Sequence, residues 1–235
     1  MPNLPTHIEL AWQASLEIKD ALLDENLGQY LLGSTAPDIR VITKQPRSEY
    51  HFVNLDFASV GDGQKGFFDA FPKLGNKSDL PPGQVALIAG YISHLVADET
   101  WITKMYRTYF DGNQRFTSKI EAKLFDRVAQ LTMDRESKDL MPSLVNKMSH
   151  EFNVFGIGTI SYSEMLEWKN WVISFLISEQ AYDWDRLKNQ ATRISKNDLS
   201  NPVHKLCDEF IENTEQGLKL LYQNVPQATI MQYKN

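Results

Sequence analysis

The stretch Ala86-Leu-Ile-Ala-Gly-Tyr-Ile-Ser-His94-Leu-Val-Ala-Asp98-Glu-Thr-Trp101 reads as a buried helix that carries chemistry. Residues four apart on a helix stack on one face, so His94 and Asp98 point together, in the company of Leu87, Tyr91 and Trp101. A carboxylate buried there needs a partner or must take up a proton. A metal cation suits an imidazole and a carboxylate at once.

The flanking sequence is helical as well. Thr6-His7-Ile8-Glu9 has the form of a capping box with His7 as the first helical residue, followed by an apolar stripe through Ile8, Ala11, Trp12, Ser15, Ile18 and Leu22. A short helix near 26–32 ends at Gly33, read as a C-cap, and the turn Ser34-Thr35-Ala36-Pro37-Asp38 follows. Residues 39–82 read as a long loop interrupted by a short helix near 65–71, and this loop carries Tyr50-His51-Phe52. Pro81-Pro82 restarts a helix that extends to about residue 109. Helical periods recur over 117–135, 142–152, 161–179, 184–195 and 202–224, with a capping box at Ser161–Glu164 and an N-cap at Asn201 before Pro202. Strand-like alternation is scarce. The expectation is an all-α chain forming one domain over 1–235, with the site drawn mainly from 1–110 and a helical extension over 115–235.

Composition narrows the function classes. At 235 residues and 42% hydrophobic content the chain can bury a sizeable core, and its net charge of -6 without a basic block argues against a nucleic-acid polymer as partner. Cys207 is the single cysteine, so no intrachain disulfide forms. Absence of a secretory signal or of a run of roughly 18 apolar residues gives the expectation of a cytoplasmic protein without a transmembrane segment.

Five histidines are present, and three fall at structurally special places: His7 at a helix start, His51 in the long loop and His94 on the buried face. Asp38 and Asp98 stand at comparable positions. Taken in order, Met-Pro-Asn-Leu-Pro-Thr-His7, Gly33-Ser-Thr-Ala-Pro-Asp38, Tyr50-His51-Phe52 and Gly90-Tyr-Ile-Ser-His94-Leu-Val-Ala-Asp98 resemble the zinc-dependent phospholipase C family, related to the S1/P1-type nucleases. The resemblance spans roughly the first 110 residues. It implies an all-helical bundle of the phospholipase C/P1 nuclease type that holds up to three zinc ions and hydrolyses phosphate esters.

Carried onto this chain, the resemblance makes Asp38, His51, His94 and Asp98 the ligands of one zinc, with His7 and a bridging Asp98 serving a neighbour. Asp38 would also orient or deprotonate the attacking water. Secreted members use the amino group of an N-terminal Trp as a ligand, a position held here by Met1-Pro2, and the His that usually follows the His-x-x-x-Asp motif is missing between 100 and 109. Two zinc ions are therefore expected. His204-Lys-Leu-Cys-Asp208 repeats the spacing on another helix and is a weaker candidate for a remaining ligand pair, and His150-Glu151 is weaker still because adjacent helical residues diverge. The substrate expected is a small-molecule or lipid phosphate ester, with Phe52, Phe57, Phe67, Phe68 and Phe71 either lining an apolar cleft or plugging the core. The alternative is a non-catalytic helical binding or scaffold protein whose metal is structural and closed by four protein ligands.

Overall fold

In the computed structural model, which describes residues 1–112, 114–150 and 153–234, the all-α expectation holds. Fourteen α-helices occur among the described residues, and no strand does; Ile157 and Ile160 exchange a lone pair of backbone hydrogen bonds. No helix among them is long and apolar enough to cross a membrane.

Helix α1 (Leu4–Ile18) begins earlier than the capping-box reading places it. Asn3 precedes it, Pro5 occupies its first turn, and no side chain caps its start. Tertiary partners have taken both motif residues: the Thr6 hydroxyl donates to Asp134 (2.8 Å), and the Glu9 carboxylate accepts from Ser137 and pairs with Lys234. The short helices α2 (Ala21–Glu25) and α3 (Leu27–Gly33) lead into a 3-10 turn, Ala36–Ile39.

The supposed long loop holds two single-turn helices besides the short one expected: α4 (Arg40–Thr43) and α5 (Ser48–His51) precede α6 (Asp62–Ala70). Lys44 and Phe52, at φ 61° and 58°, end α4 and α5 in the left-handed region. Helices of four residues span a single turn and leave no periodic signature. Phe67 is fully buried and packs edge-on to Phe52 and Phe68 at centroid distances of 5.5 and 5.1 Å, with Tyr91 5.0 Å away; these rings plug the core.

Helix α7 (Pro82–Thr100) is the central element, and it continues as a π-helical segment, Trp101–Phe110. Where α3 crosses α7 the backbones meet without intervening side chains. A Cβ on Gly33 would lie 2.1 Å from the Leu87 carbonyl oxygen, and one on Gly90 would lie 1.9 Å from that of Tyr30. Gly33 is thus required for space rather than for a left-handed cap, since the C-cap residue, Ser34, is right-handed (φ -65°).

Two apolar clusters flank α7. The first joins α1, α3 and the first part of α7 to α9 (Met141–Ser149) and α10 (Tyr162–Leu176). The second gathers the π segment, α8 (Lys119–Glu136), α11 (Arg186–Ile194), α12 (Pro202–Glu212), α13 (Thr214–Asn224) and α14 (Gln227–Lys234). Chain beyond residue 115 therefore contributes to both. The capping box at Ser161 and the N-cap at Asn201 form as read. The single helix expected over 202–224 is divided at Asn213, whose side chain accepts from the Gln216 amide and starts α13.

The crossing makes a prediction. Gly90→Ala should lower the unfolding free energy by about 3 kcal/mol or more, the upper range for overpacking a close contact. Gly75→Ala, whose new methyl would meet Phe68 at an ordinary 3.6 Å, should stay within about 0.5 kcal/mol. Urea titration of both variants measures this, and near-equal midpoints would mean that the helices are free to separate.

Candidate metal centre

Each histidine of the cluster is held by the local fold. His7 rides on α1, whose Leu4, Ile8 and Ala11 anchor it in the first core. The turn after α3 is fixed by its own hydroxyls: Ser34 donates to the Leu31 carbonyl (2.8 Å), and Thr35 donates to that of Leu32 (2.7 Å) while accepting from the Trp168 indole (3.0 Å). That turn delivers Asp38 and points the Ser34 carbonyl at His94. Helix α5 is pinned by the Tyr91 hydroxyl, which donates to the Tyr50 carbonyl (2.5 Å), and so His51 faces α7.

The structure brings His7, Asp38, His51, His94 and Asp98 to one place. The ligand atoms of His7, His94 and Asp98 lie within 4.8 Å of one another, as do those of Asp38, His51 and His94. His94 is shared by both groups, whereas the expected arrangement had Asp98 as the shared residue. His7 (2% exposed), His51 (1%), His94 (1%) and Asp98 (2%) are buried, and Asp38 is half-buried at the edge.

Hydrogen bonds set the tautomers. His94 Nδ1 lies 2.8 Å from the Ser34 carbonyl and His51 Nδ1 lies 3.3 Å from the Arg47 carbonyl; a carbonyl only accepts, so both Nδ1 atoms carry a proton. The two Nε2 atoms face each other at 3.2 Å, a contact that requires a proton on one of them or a cation between them. His51 Nε2 is also 3.2 Å from Asp98 Oδ2. The His7 ring stacks on His94 at 3.8 Å, and its Nε2 approaches Asp98 Oδ1 at 3.3 Å without hydrogen-bond geometry, so both His7 nitrogens and Asp98 Oδ1 are buried without a hydrogen-bond partner.

Charge follows from burial. Burial, then the neighbouring His7, holds the His94 pKa well below 6.5. For Asp98, burial alone would raise the pKa, but contacts with His51 and His7 outweigh it and keep the carboxyl ionised well below the usual range. Asp38 is pushed upward by burial, against the opposing charge of His51. Burial also pulls the Met1 amino group down to about 6, against the opposing charges of Asp126 and Asp98.

Arg47 is a member that sequence reasoning missed. Its Nη2 pairs with Asp98 Oδ2 at 2.9 Å, and its carbonyl orients His51. The signal was the four-residue spacing from Arg47 to His51 on the helical segment that the loop reading hid. The second His-x-x-x-Asp pair does not join the centre. Helix α12 buries Val203, Cys207 and Phe210, leaving His204 to pair with the Ser195 hydroxyl (2.8 Å) and Asp208 exposed. Cys207 packs as a small apolar residue, its thiol pushed up to about 12 by burial. His150 ends α9, and Glu151 lies outside the described residues.

No family model, curated protein or solved structure matches this chain.

The depressed pKa values fix the sign of the acid response. His94 stays neutral in the folded chain while the unfolded chain gains a proton below 6.5, so stability falls with pH from there, by up to about 1.4 kcal/mol per pH unit. Asp98 adds a further loss as pH falls below 3.8 toward its lowered pKa, whereas Asp38, with its raised pKa, binds its proton earlier in the folded state and softens the decline. Thermal unfolding of chelator-treated protein between pH 7.5 and 5 should show this slope, and His94→Gln should flatten it. An unchanged slope in that variant would contradict the buried neutral imidazole.

Proposed function

We propose that the protein is a metal-dependent hydrolase of phosphate esters, with zinc, two ions being favoured, held by His7, Asp38, His51, His94 and Asp98. The observation that carries the reading is the convergence of the His51 and His94 Nε2 atoms, 3.2 Å apart, with both nitrogens of His7 and one oxygen of Asp98 that are buried without hydrogen-bond partners. That contact is favourable only with a proton or a metal cation between the two nitrogens, and a metal cation would also serve the His7 nitrogens, which have no hydrogen-bond partner. The donor set of imidazole nitrogens and carboxylate oxygens suits zinc. The hydrolytic chemistry is supported by the ordered residues that resemble the zinc-dependent phospholipases C.

A zinc ion held there supplies Lewis acidity and brings the pKa of a water ligand from about 15.7 to about 7. The chain's own residues do the rest. Asp38 is the least buried of the five, and its raised pKa suits it to orient an attacking water and accept its proton. The Ser34 and Arg47 carbonyls keep His94 and His51 in the tautomer that presents Nε2. Arg47, 14% exposed with its Nε unpaired, offers a cation to the non-bridging oxygens of the phosphate. Burial of the single cysteine fits a cytoplasmic setting, which belongs to the same proposal.

A second reading, a binding or scaffold protein with a structural metal, draws on Asp38, His51, His94 and Asp98, four ligands that suffice to close a tetrahedral site, with His51, His94 and Asp98 deeply buried. Elemental analysis of purified protein, with turnover assays on bis-nitrophenyl phosphate and phosphatidylcholine, separates the two. The hydrolase should retain about two zinc ions per chain. His94→Ala and Asp98→Asn should each weaken zinc binding beyond the roughly 10–100-fold that loss of a ligand's own hydrogen-bond partner costs, and should abolish turnover. Full metal stoichiometry in both variants would refute the ligand assignment, and tight metal without turnover would favour the scaffold.

A further inference from the structure

Beyond Asp98, the same long helix carries Ile102 and Tyr106, and these two help to wall a separate cleft of about 570 Å³. Lys123, Arg127, Arg193 and Lys196 also line it, against a single carboxylate, Asp126. In a chain of net charge -6 this is a local excess of positive charge. Asp126 is buried and already accepts from the Trp101 indole at 2.9 Å. Among the described residues none of the four cations forms an ion pair, and Arg127 is engaged only by the Gln130 amide oxygen. Cations left unpaired in a concave site raise the local concentration of anions.

Two chain segments run from the metal centre to the cleft. One is the helix that bears Asp98 and then Ile102. The other is the segment after His51, which reaches the cleft at Leu55 and is tied down there by Arg107 donating to the Leu55 and Phe57 carbonyls (3.0 and 2.8 Å). Met1 lines the cleft too, within reach of charges from both sides: Asp126 and Arg127 of the cleft, Asp98 and Arg47 of the centre.

We propose that this cleft is an anion subsite that selects, among phosphate esters, those carrying a second phosphate group. The ester to be cleaved sits at the His/Asp centre, the distal phosphate sits among Arg127, Arg193, Lys123 and Lys196, and Ile102 and Tyr106 pack against the organic part between them. Guanidinium forks suit phosphate oxygens bidentately, and two of the four cations are arginines. The specificity rests on the phosphate-ester reading, but the anion site does not, and the two fail separately.

Isothermal titration of chelator-treated protein with inorganic tripolyphosphate and with inorganic phosphate reads the cleft without the metal. Tripolyphosphate should bind the more tightly, and Arg193→Gln with Lys196→Gln, both exposed, should weaken it at least about tenfold, the loss expected for two charged contacts. Zinc content of that double variant should equal the parent's. A charge-matched control, Lys205→Gln with Lys219→Gln, should leave tripolyphosphate binding unchanged. Absence of binding in the parent, equal affinity in the cleft variant, or an equal loss in the control would overturn the subsite. Zinc loss in His94→Ala is read independently, so failure of the subsite leaves the metal reading standing, and the reverse also holds.

Discussion

The crossing of α3 over α7 at Gly33 and Gly90 sets the geometry on which the centre depends. Two missing side chains let one helix backbone press against the other, and the turn that leaves α3 is thereby held against α7 one helical turn beyond Gly90, at His94. The Ser34 carbonyl is then fixed 2.8 Å from His94 Nδ1. A main-chain contact thus settles which nitrogen of a buried imidazole is protonated, and hence which one is free to act. Were the helices at an ordinary separation of 8–10 Å, the carbonyl would lie out of reach.

Asp98 shows the balance that this packing imposes. Removing one partner from a buried ion pair typically costs about 3–5 kcal/mol, so Arg47 at 2.9 Å is a strong claim on the carboxylate. Yet the arrangement does not satisfy its members. His7 stacks on His94 with neither nitrogen hydrogen-bonded, each worth roughly 1–3 kcal/mol if left so, and Asp98 Oδ1 is unpaired as well. Arg47 neutralises one oxygen and leaves the imidazoles unserved, whereas a divalent cation would engage the imidazoles and the carboxylates together. Groups that a fold buries at such cost and leaves unpaired are those most stabilised by a ligand.

How much of this was legible in the sequence depended on range. His94 and Asp98 were readable because one long helix imposes its period on both. The capping box at Ser161 formed because its residues have no stronger partner, while the one at Thr6 dissolved because Asp134, Ser137 and Lys234, all distant in the chain, bid for the same atoms. Gly33 was identified as special for the wrong reason, since a close approach and a left-handed cap call for the same residue. Arg47 went unread because single-turn helices are invisible to periodicity, and His204 with Asp208 was overvalued because spacing says which residues share a face but not what that face meets.

The position of the centre follows from the two cores. The first half of α7 packs in one, and its π-helical continuation, from Trp101, packs in the other. His94 and Asp98 lie just before that change of winding. A π turn offsets the hydrogen-bond register by one residue, which is why the Asp111 amide reaches back to the Tyr106 carbonyl and why threonine hydroxyls, Thr103 to the Glu99 carbonyl among them, serve oxygens along the segment. The widened winding turns Trp101, Met105 and Phe110 into the second core, while the Trp101 indole donates to Asp126, which lines the cationic cleft. One helix therefore ties the histidine cluster to the cleft through its own backbone. A substrate that spans them would be measured against a rigid element, with charge at each end and apolar surface between.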